Sequence, residues 1–231
     1  MNTHTPAGYR ALLRTGSWFH ALEPALQDQL LALAHVRRLR SGQRLFARGD
    51  APDGMYAIVD GAVRVGGLSE TGKEAVLALV EPPHWFGEIS LFDGQPRTHD
   101  AWAEGDVTLL HVPQQPLLAL LDAQPVHWRA LALLMTHKLR LTFMVMEETA
   151  LLPASARLAR RLVTMAEGYG DWKDRNRRML HVPQEQLSLM LSLSRQTVNQ
   201  ILKQFEAQHA IALVRGGIEI LDIARLRLLA Q

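Results

Sequence analysis

VPQEQLSLMLSLSRQTVNQILKQFEAQHAI, Val182 to Ile211, holds two helix-length segments separated by three residues. Pro183 suits a first helical turn, where its missing N–H has no partner to lose, so a short helix is expected over Gln184–Leu191. A break follows at 192–194, and the Ser194 hydroxyl is placed to accept from the first free amides of a second helix. Along that helix Val198, Ile201, Leu202 and Phe205 recur at spacings of three and four, which puts them on one buried stripe. Arg195, Gln196, Asn199 and Gln200 are left on the outward face. Two short helices of this kind form a helix-turn-helix whose second helix suits a major groove. Arg can bond guanine O6 and N7 together, and Gln or Asn can do the same with adenine N6 and N7. Gln184, Ser194, Thr197 and Lys203 complete the expected DNA-facing set; a merely solvated polar face is the alternative.

Beyond this stretch, IALV-RGG-IEIL reads as strand, glycine turn and strand, a hairpin wing that brings Arg215 near a phosphate backbone. Before it, SARLARRLVTMAEGYG reads as a helix ending at a glycine pair. The RNRR cluster at Arg175–Arg178 reads as a solvated turn. Pro153 breaks the helical pattern, so residues 150–153 form the expected hinge. Upstream, PVHWRALALLMTHKLRLTFMVMEET has no glycine and no proline after Pro125, and predicts one helix of about six or seven turns. Leu131, Leu134, Met135, Leu141, Thr142 and Val145 lie close to a heptad stripe. A helix this apolar needs cover on two sides, and the same helix of a second chain is the economical partner. Burial within one chain is the alternative.

From about Leu39 to Val112 the texture differs. Short strand-like runs, MYAIV, AVRVG, AVLALV and VTLLHV, alternate with turn signals such as RGDAPDG, DGAV, EPPHWFGE and AEGD. Glycines at 42, 49, 54, 61 and 87 fall at the breaks, and the spacing predicts a compact β sandwich or barrel. The expected organisation is α+β: a β-roll (jelly-roll) sensing domain over 1–123, a long dimerisation helix over 124–149, and a winged helix-turn-helix over 150–231.

The bulk properties agree with this division. The chain has 231 residues, 48% of them hydrophobic, which suffices for real cores. Residues 1–150 carry 13 basic and 16 acidic side chains, a charge of −3, and residues 151–231 carry 12 and 7, a charge of +5. A basic small domain behind a mildly acidic one fits a nucleic-acid reader attached to a sensor. No apolar run approaches the ~18 residues of a membrane span, and the amino terminus lacks a signal-peptide layout, so a cytoplasmic location is expected. Zero cysteines exclude disulfides, iron–sulfur clusters and thiol redox sensing, and leave only His and carboxylates as metal ligands.

FGEISLFDGQPRTHDA, Phe86–Ala101, carries a single glutamate, Glu88, and a single arginine, Arg97. With the recognition-helix pattern SRQTVNQILKQFE and the order β-roll, long helix, winged helix, it makes the chain resemble the cyclic-AMP receptor protein/fumarate–nitrate regulator (Crp/Fnr) family of bacterial transcription factors, over residues 20 to 222. The resemblance implies that GEISLF…PRT is a phosphate-binding cassette. Glu88 would hold a ribose 2′-hydroxyl, Arg97 and Thr98 a cyclic phosphate, and Gly87, Ile89 and Ser90 the backbone cradle, with Thr142 of the long helix toward the base. A buried phosphodiester needs a guanidinium fork and amide donors, which agrees. It further implies a homodimer on a palindromic double-stranded operator, RNA polymerase as a partner, and a cyclic nucleotide such as cyclic AMP as effector rather than a fixed cofactor.

The chain departs from the cyclic-AMP binders at His99, where a small residue is usual, and at Phe143, where the base-contacting pair is Thr then Ser. A cyclic dinucleotide, haem bound through His99 or His111, or no ligand therefore remain alternatives. In the last case Glu88 and Arg97 would pair with each other and fix the loop. On the recognition helix, Gln196 and Gln200 stand where members that read TGTGA-type half-sites carry Glu and Arg, so a different half-site is expected. The expectation is a regulator, not an enzyme. A cupin-like metal enzyme built on His84, Glu88, His99 and His111 is the rival, weakened because His84 lacks a companion His two residues away. No phosphate-loop lysine, nucleophile elbow or HExxH motif occurs.

Overall fold

The structure, a computed structural model, describes residues 5–68, 74–170 and 179–231. The chain divides into two compact units: residues up to Gly67 with Leu77–Leu139, and Leu68–Val76 with Arg140–Gln231.

The first unit opens with three short helices, α1 (Arg10–Leu13), α2 (Ser17–Ala21) and α3 (Pro24–Leu33), that the turn-based reading of the sequence had not distinguished. Then come β1 (His35–Leu39), β2 (Arg44–Phe46), β3 (Gly54–Leu68), β4 (Glu74–Val80) and β5 (Trp85–Phe86), followed by α4 (Ile89–Asp93), β6 (Asp100–Pro113) and α5 (Gln114–Ala123). The strands form one sheet in the order β1-β6-β3-β4, with β2 on β6 and β5 on β3. The four strand-like runs of the sequence all fall in β3, β4 and β6.

Two expected turns are instead internal kinks. DGAV lies inside β3 and AEGD inside β6, and these two long strands pair antiparallel from Gly54↔Pro113 to Gly66↔Asp100. The register shifts on both sides of Asp60. Gly61 (φ 78°) and Gly105 (φ 74°) take the left-handed conformations that let the ribbon bend without ending. A Cβ on Gly61 would sit 2.3 Å from the Asp106 carbonyl oxygen.

The core of this unit joins the amino-terminal helices to the sheet. Phe19 stacks on Trp85 at 5.5 Å, and Trp18 meets the same ring edge-on at 5.3 Å. Leu26, Leu30, Met55, Leu110, Leu117 and Leu121 are fully buried beside them. The first turns of α6 (Trp128–Leu151) complete it: Leu131 and Leu134 are buried in the cluster, and Trp18 Nε1 donates to the Ala130 carbonyl at 2.7 Å.

That packing divides the heptad stripe read from the sequence. Leu131 and Leu134 serve the chain's own β domain, while Leu139, Phe143 and Met146, spaced by four and three, are half or more exposed. The β domain thus takes the first two turns, and of the predicted stripe Thr142 and Val145 remain exposed further along the helix.

In the second unit, α7 (Ala154–Ala166) begins directly after Pro153 and ends before Gly168, as the sequence reading expects. Then follow β7 (Met179–Leu180), α8 (Gln184–Leu191), α9 (Arg195–Ala207), β8 (Ile211–Val214), β9 (Gly217–Ile220) and α10 (Ile223–Leu228). Leu158, Leu162, Leu187, Val198, Leu202, Phe205 and Ile211 are buried together as its core. β8 and β9 form the wing through a two-residue turn, Arg215–Gly216, with Gly216 at φ 84°, and β7 adds a third strand on β9. The RNRR cluster lies outside the described residues.

Candidate functional site

The acid and the base of the cassette are brought to the first unit's interior, but each finds a partner other than its mate. Gly87 (φ 93°) turns the chain from β5 into α4; a Cβ there would meet Arg97 Nη1 and the Gly54 carbonyl oxygen, both at 3.0 Å. Glycine is what allows the arginine to lie against the backbone. Glu88 follows as the N-cap residue of α4, with Ile89 exposed and Ser90 buried behind it.

Arg97 is 4% exposed. Its Nη1 donates to the Gly87 carbonyl at 3.0 Å, and its Nη2 to Asp53 Oδ1 at 2.6 Å and to the Gly54 carbonyl at 2.5 Å. The guanidinium carbon lies 4.6 Å from the Phe46 ring centroid, a cation–π contact that holds the fork flat. The loop around it is pinned by the backbone, Gly49 N to Arg97 O at 2.8 Å and Arg97 N to Asp50 O at 2.9 Å. The Nε–H is buried and has no hydrogen-bond partner among the described residues. A buried guanidinium donor without an acceptor is a costly feature, and an anionic oxygen would satisfy it.

Asp53 is the hub of this cluster. Besides Arg97 it accepts from the Tyr56 hydroxyl, and Arg37 Nη1 approaches it at 3.8 Å. Burial alone would raise the Asp53 carboxyl, but the Tyr56 and Arg97 hydrogen bonds and the Arg97 charge prevail and hold it below its usual value. Burial, and then the bond to Asp53, push the Tyr56 phenol well above its usual range, so it remains a donor. His111 stacks on Tyr56 at 4.7 Å and places Nε2 3.0 Å from the Asp53 carbonyl oxygen.

Glu88, 2% exposed, is held by Lys138 of α6, whose Nζ donates to Oε2 at 2.8 Å and to the Trp85 carbonyl at 2.7 Å. The sequence reading did not single out Lys138 or Asp53. Asp53 read as a turn residue in RGDAPDG, and the only signal for Lys138 was its place one turn before Thr142. Thr142 itself is exposed on α6. Thr98 Oγ1 lies 2.9 Å from His99 Nδ1, and burial, reinforced by the nearby Arg48 charge, lowers the His99 imidazole despite the opposing Asp100.

The residues of the rival metal reading are not assembled. Glu88 faces an ammonium, His99 a hydroxyl and His111 a carbonyl, and no group of three or more His, Asp and Glu among the described residues is arranged to hold a metal ion. Among those residues no helix is long and apolar enough to cross a membrane.

The second unit carries the other site. Ser194 caps α9, its hydroxyl oxygen accepting from Thr197 N at 3.0 Å. Val198, Ile201, Leu202 and Phe205 are buried, and Arg195, Gln196, Gln200 and Lys203 are exposed, with Thr197 and Asn199 intermediate. Arg195 pairs with Glu185 of α8 across the turn, an exposed contact that adds little stability and can open for a base. Gln184 starts α8, half-buried. Arg215 is exposed at the wing tip. The wing is tied to α9 by Leu213 N donating to Glu206 Oε1 at 2.8 Å.

Comparison with known proteins divides the chain in the same way. The family model of the cyclic nucleotide-binding domain matches residues 36–124, and that of the Crp-like helix-turn-helix domain matches residues 156–229. A CRP-like cAMP-activated global transcriptional regulator of Mycobacterium tuberculosis is 28% identical over 220 residues, covering 93% of this chain and 96% of the relative. The structure of FixK2 from Bradyrhizobium japonicum shares the fold at 21% identity, with a TM-score of 0.76 over 86% of this chain and 98% of that one. A c-di-GMP responsive global regulator of Xanthomonas campestris shares it at 19% identity, with a TM-score of 0.67 over 86% and 99%. With a nucleotide-binding β domain and a Crp-like DNA-reading domain in that order on one chain, the protein belongs to the Crp/Fnr family of transcription regulators.

Proposed function

We propose that this regulator works in the cytoplasm as a homodimer on an inverted-repeat operator, and that a cyclic nucleotide seated against Arg97 controls it. The observation that carries the effector reading is the Arg97 guanidinium, buried beneath a glycine turn with its Nε–H unpartnered among the described residues. A cyclic phosphate oxygen would supply the missing acceptor, and Thr98 and the amides around Ser90 would add further donors. Lys138 is part of the reading: a ribose hydroxyl that bonds Glu88 must share or displace the ammonium already there. The relatives named for cyclic AMP favour that nucleotide. His99 and Phe143 are the residues by which the ligand would differ.

The dimer reading draws on Leu139, Phe143 and Met146, an apolar stripe of α6 that the chain itself leaves exposed. Two copies joined there would hold their α9 helices for successive major grooves, about 34 Å apart. Ligand binding then shifts a two-state equilibrium in the geometry of residues 150–153. RNA polymerase is the partner such a regulator would engage. Nothing in this mechanism asks for catalysis.

Thermal-shift and calorimetric titration with cyclic AMP, cyclic GMP and cyclic di-GMP test the effector reading. One of the three is expected to raise the melting temperature selectively, by mass action on the folded state. Arg97→Ala is expected to abolish that response, and an unchanged titration in the variant would refute the assignment.

A further inference from the structure

Within the second unit, a cavity lies where the last turns of α6, the first half of α7 and the end of α8 meet. Arg157 and Arg161, one turn apart on α7, share its wall with Glu148, Ser192, Val145 and Met190. Glu148 is engaged by Arg160, at 3.3 Å. Arg157 Nη1 reaches the Leu191 carbonyl at a long 3.4 Å, and its Nε–H is buried with no hydrogen-bond partner among the described residues. The wall thus includes a guanidinium with an unmet donor, a hydroxyl-bearing residue and an apolar side.

We propose that this cavity binds a small oxyanion, a phosphate or carboxylate group, on the Arg157 guanidinium. The planar fork fits two oxygens of such a group, and Ser192 supplies a further donor. The site uses no residue of the Arg97 cradle. A bound anion would join α6, α7 and the end of α8, and so would fix the approach of the long helix to the DNA-reading pair. By linkage, DNA affinity and anion affinity then depend on each other. That coupling rests on the DNA-binding reading above; the binding itself does not.

Calorimetric titration of the full-length chain without DNA, using inorganic phosphate and pyrophosphate as probes, tests it. Saturable binding is expected in the wild type and in Arg97→Gln. It is expected to weaken about tenfold or more in Arg157→Gln, and less in Arg157→Lys, which keeps the charge and loses the fork. Ser192→Gly removes the hydroxyl and suits the φ of 53° at that position, so it is expected to weaken binding without disturbing the turn. Should Arg157→Gln fail to fold by circular dichroism, Ser192→Gly carries the test. Absence of saturable binding at millimolar anion, or equal binding by wild type, Arg157→Gln and Ser192→Gly, overturns the proposal. A loss of DNA affinity in Arg157→Gln with a shallower salt dependence and no anion binding overturns it as well, because Arg157 would then be a DNA-backbone contact.

Discussion

Replacing Lys138 by methionine removes the ammonium that neutralises a nearly inaccessible carboxylate while keeping a flexible apolar stem of similar length. At the observed 2.8 Å, and with an effective dielectric of about 20, two unit charges attract by about 6 kcal/mol. Desolvation offsets much of that, since Glu88 is 2% exposed, so the pair contributes little net stability against an apolar isostere. Breaking it from one side is different: the carboxylate stays buried without its cation, and the Trp85 carbonyl loses a donor. Such one-sided losses run to about 3–5 kcal/mol, and because Lys138 is 25% exposed the lower end, about 3 kcal/mol, is expected. Adding Glu88→Gln should restore most of it, giving a coupling of about 2 kcal/mol in the double-mutant cycle. Urea unfolding of the four proteins, followed by tryptophan fluorescence, reads the coupling directly, because Trp85 lies against this pair. Additive effects, with a coupling below about 0.5 kcal/mol, would show that the bridge does not tie α6 to the cassette.

Four further outcomes are expected. Ser194→Ala removes the α9 cap and should cost about 1 kcal/mol of stability in urea unfolding, with operator affinity falling as the helix end frays. Arg195→Ala should cost about 1–3 kcal/mol in DNA binding and relax one base position, measured by anisotropy on a set of single-base operator variants. Gly61→Ala forces a Cβ against the Asp106 carbonyl at a left-handed φ, and should destabilise by more than about 1 kcal/mol in the same denaturation assay. Finally, His99 and Asp53 both make stability fall with acid. The folded His99 binds its proton only below the ordinary 6.5, so stability declines as pH drops from 6.5 toward the folded value; the Asp53 contribution is present above 3.8 and is lost as pH falls through its own lowered value. His99→Asn should therefore shrink the difference in urea midpoint between about pH 7.5 and about pH 5.5, and an unchanged difference would count against the burial of its imidazole.

The winged helix was legible because each of its signals is local. Ser194 is both a cap by type and a cap in fact, and the 198–201–202–205 stripe is fixed by helical geometry alone. The cassette was legible as a segment but not as a site. Its glycine turn and its arginine are 10 residues apart in sequence, whereas Asp53 and Lys138 reach it from 44 and 50 residues away, through strand pairing and helix docking that no local pattern encodes. Gly61 and Gly105 misled for a physical reason. A left-handed glycine ends a strand in a hairpin and bends one in a long twisted ribbon, and which occurs depends on the partner strand. On α6, periodicity gives a stripe, but the β domain takes Leu131 and Leu134 from it and so decides how much of it remains open.

The most direct test of the whole account is selection of bound duplexes from random DNA, with and without the activating nucleotide, by wild type and by Arg195→Ala. The expected result is an inverted repeat with half-site centres about one helical turn apart, enriched with ligand, and with one guanine position lost in the variant. Recovery of unrelated sequences by both proteins, independent of ligand, would contradict it.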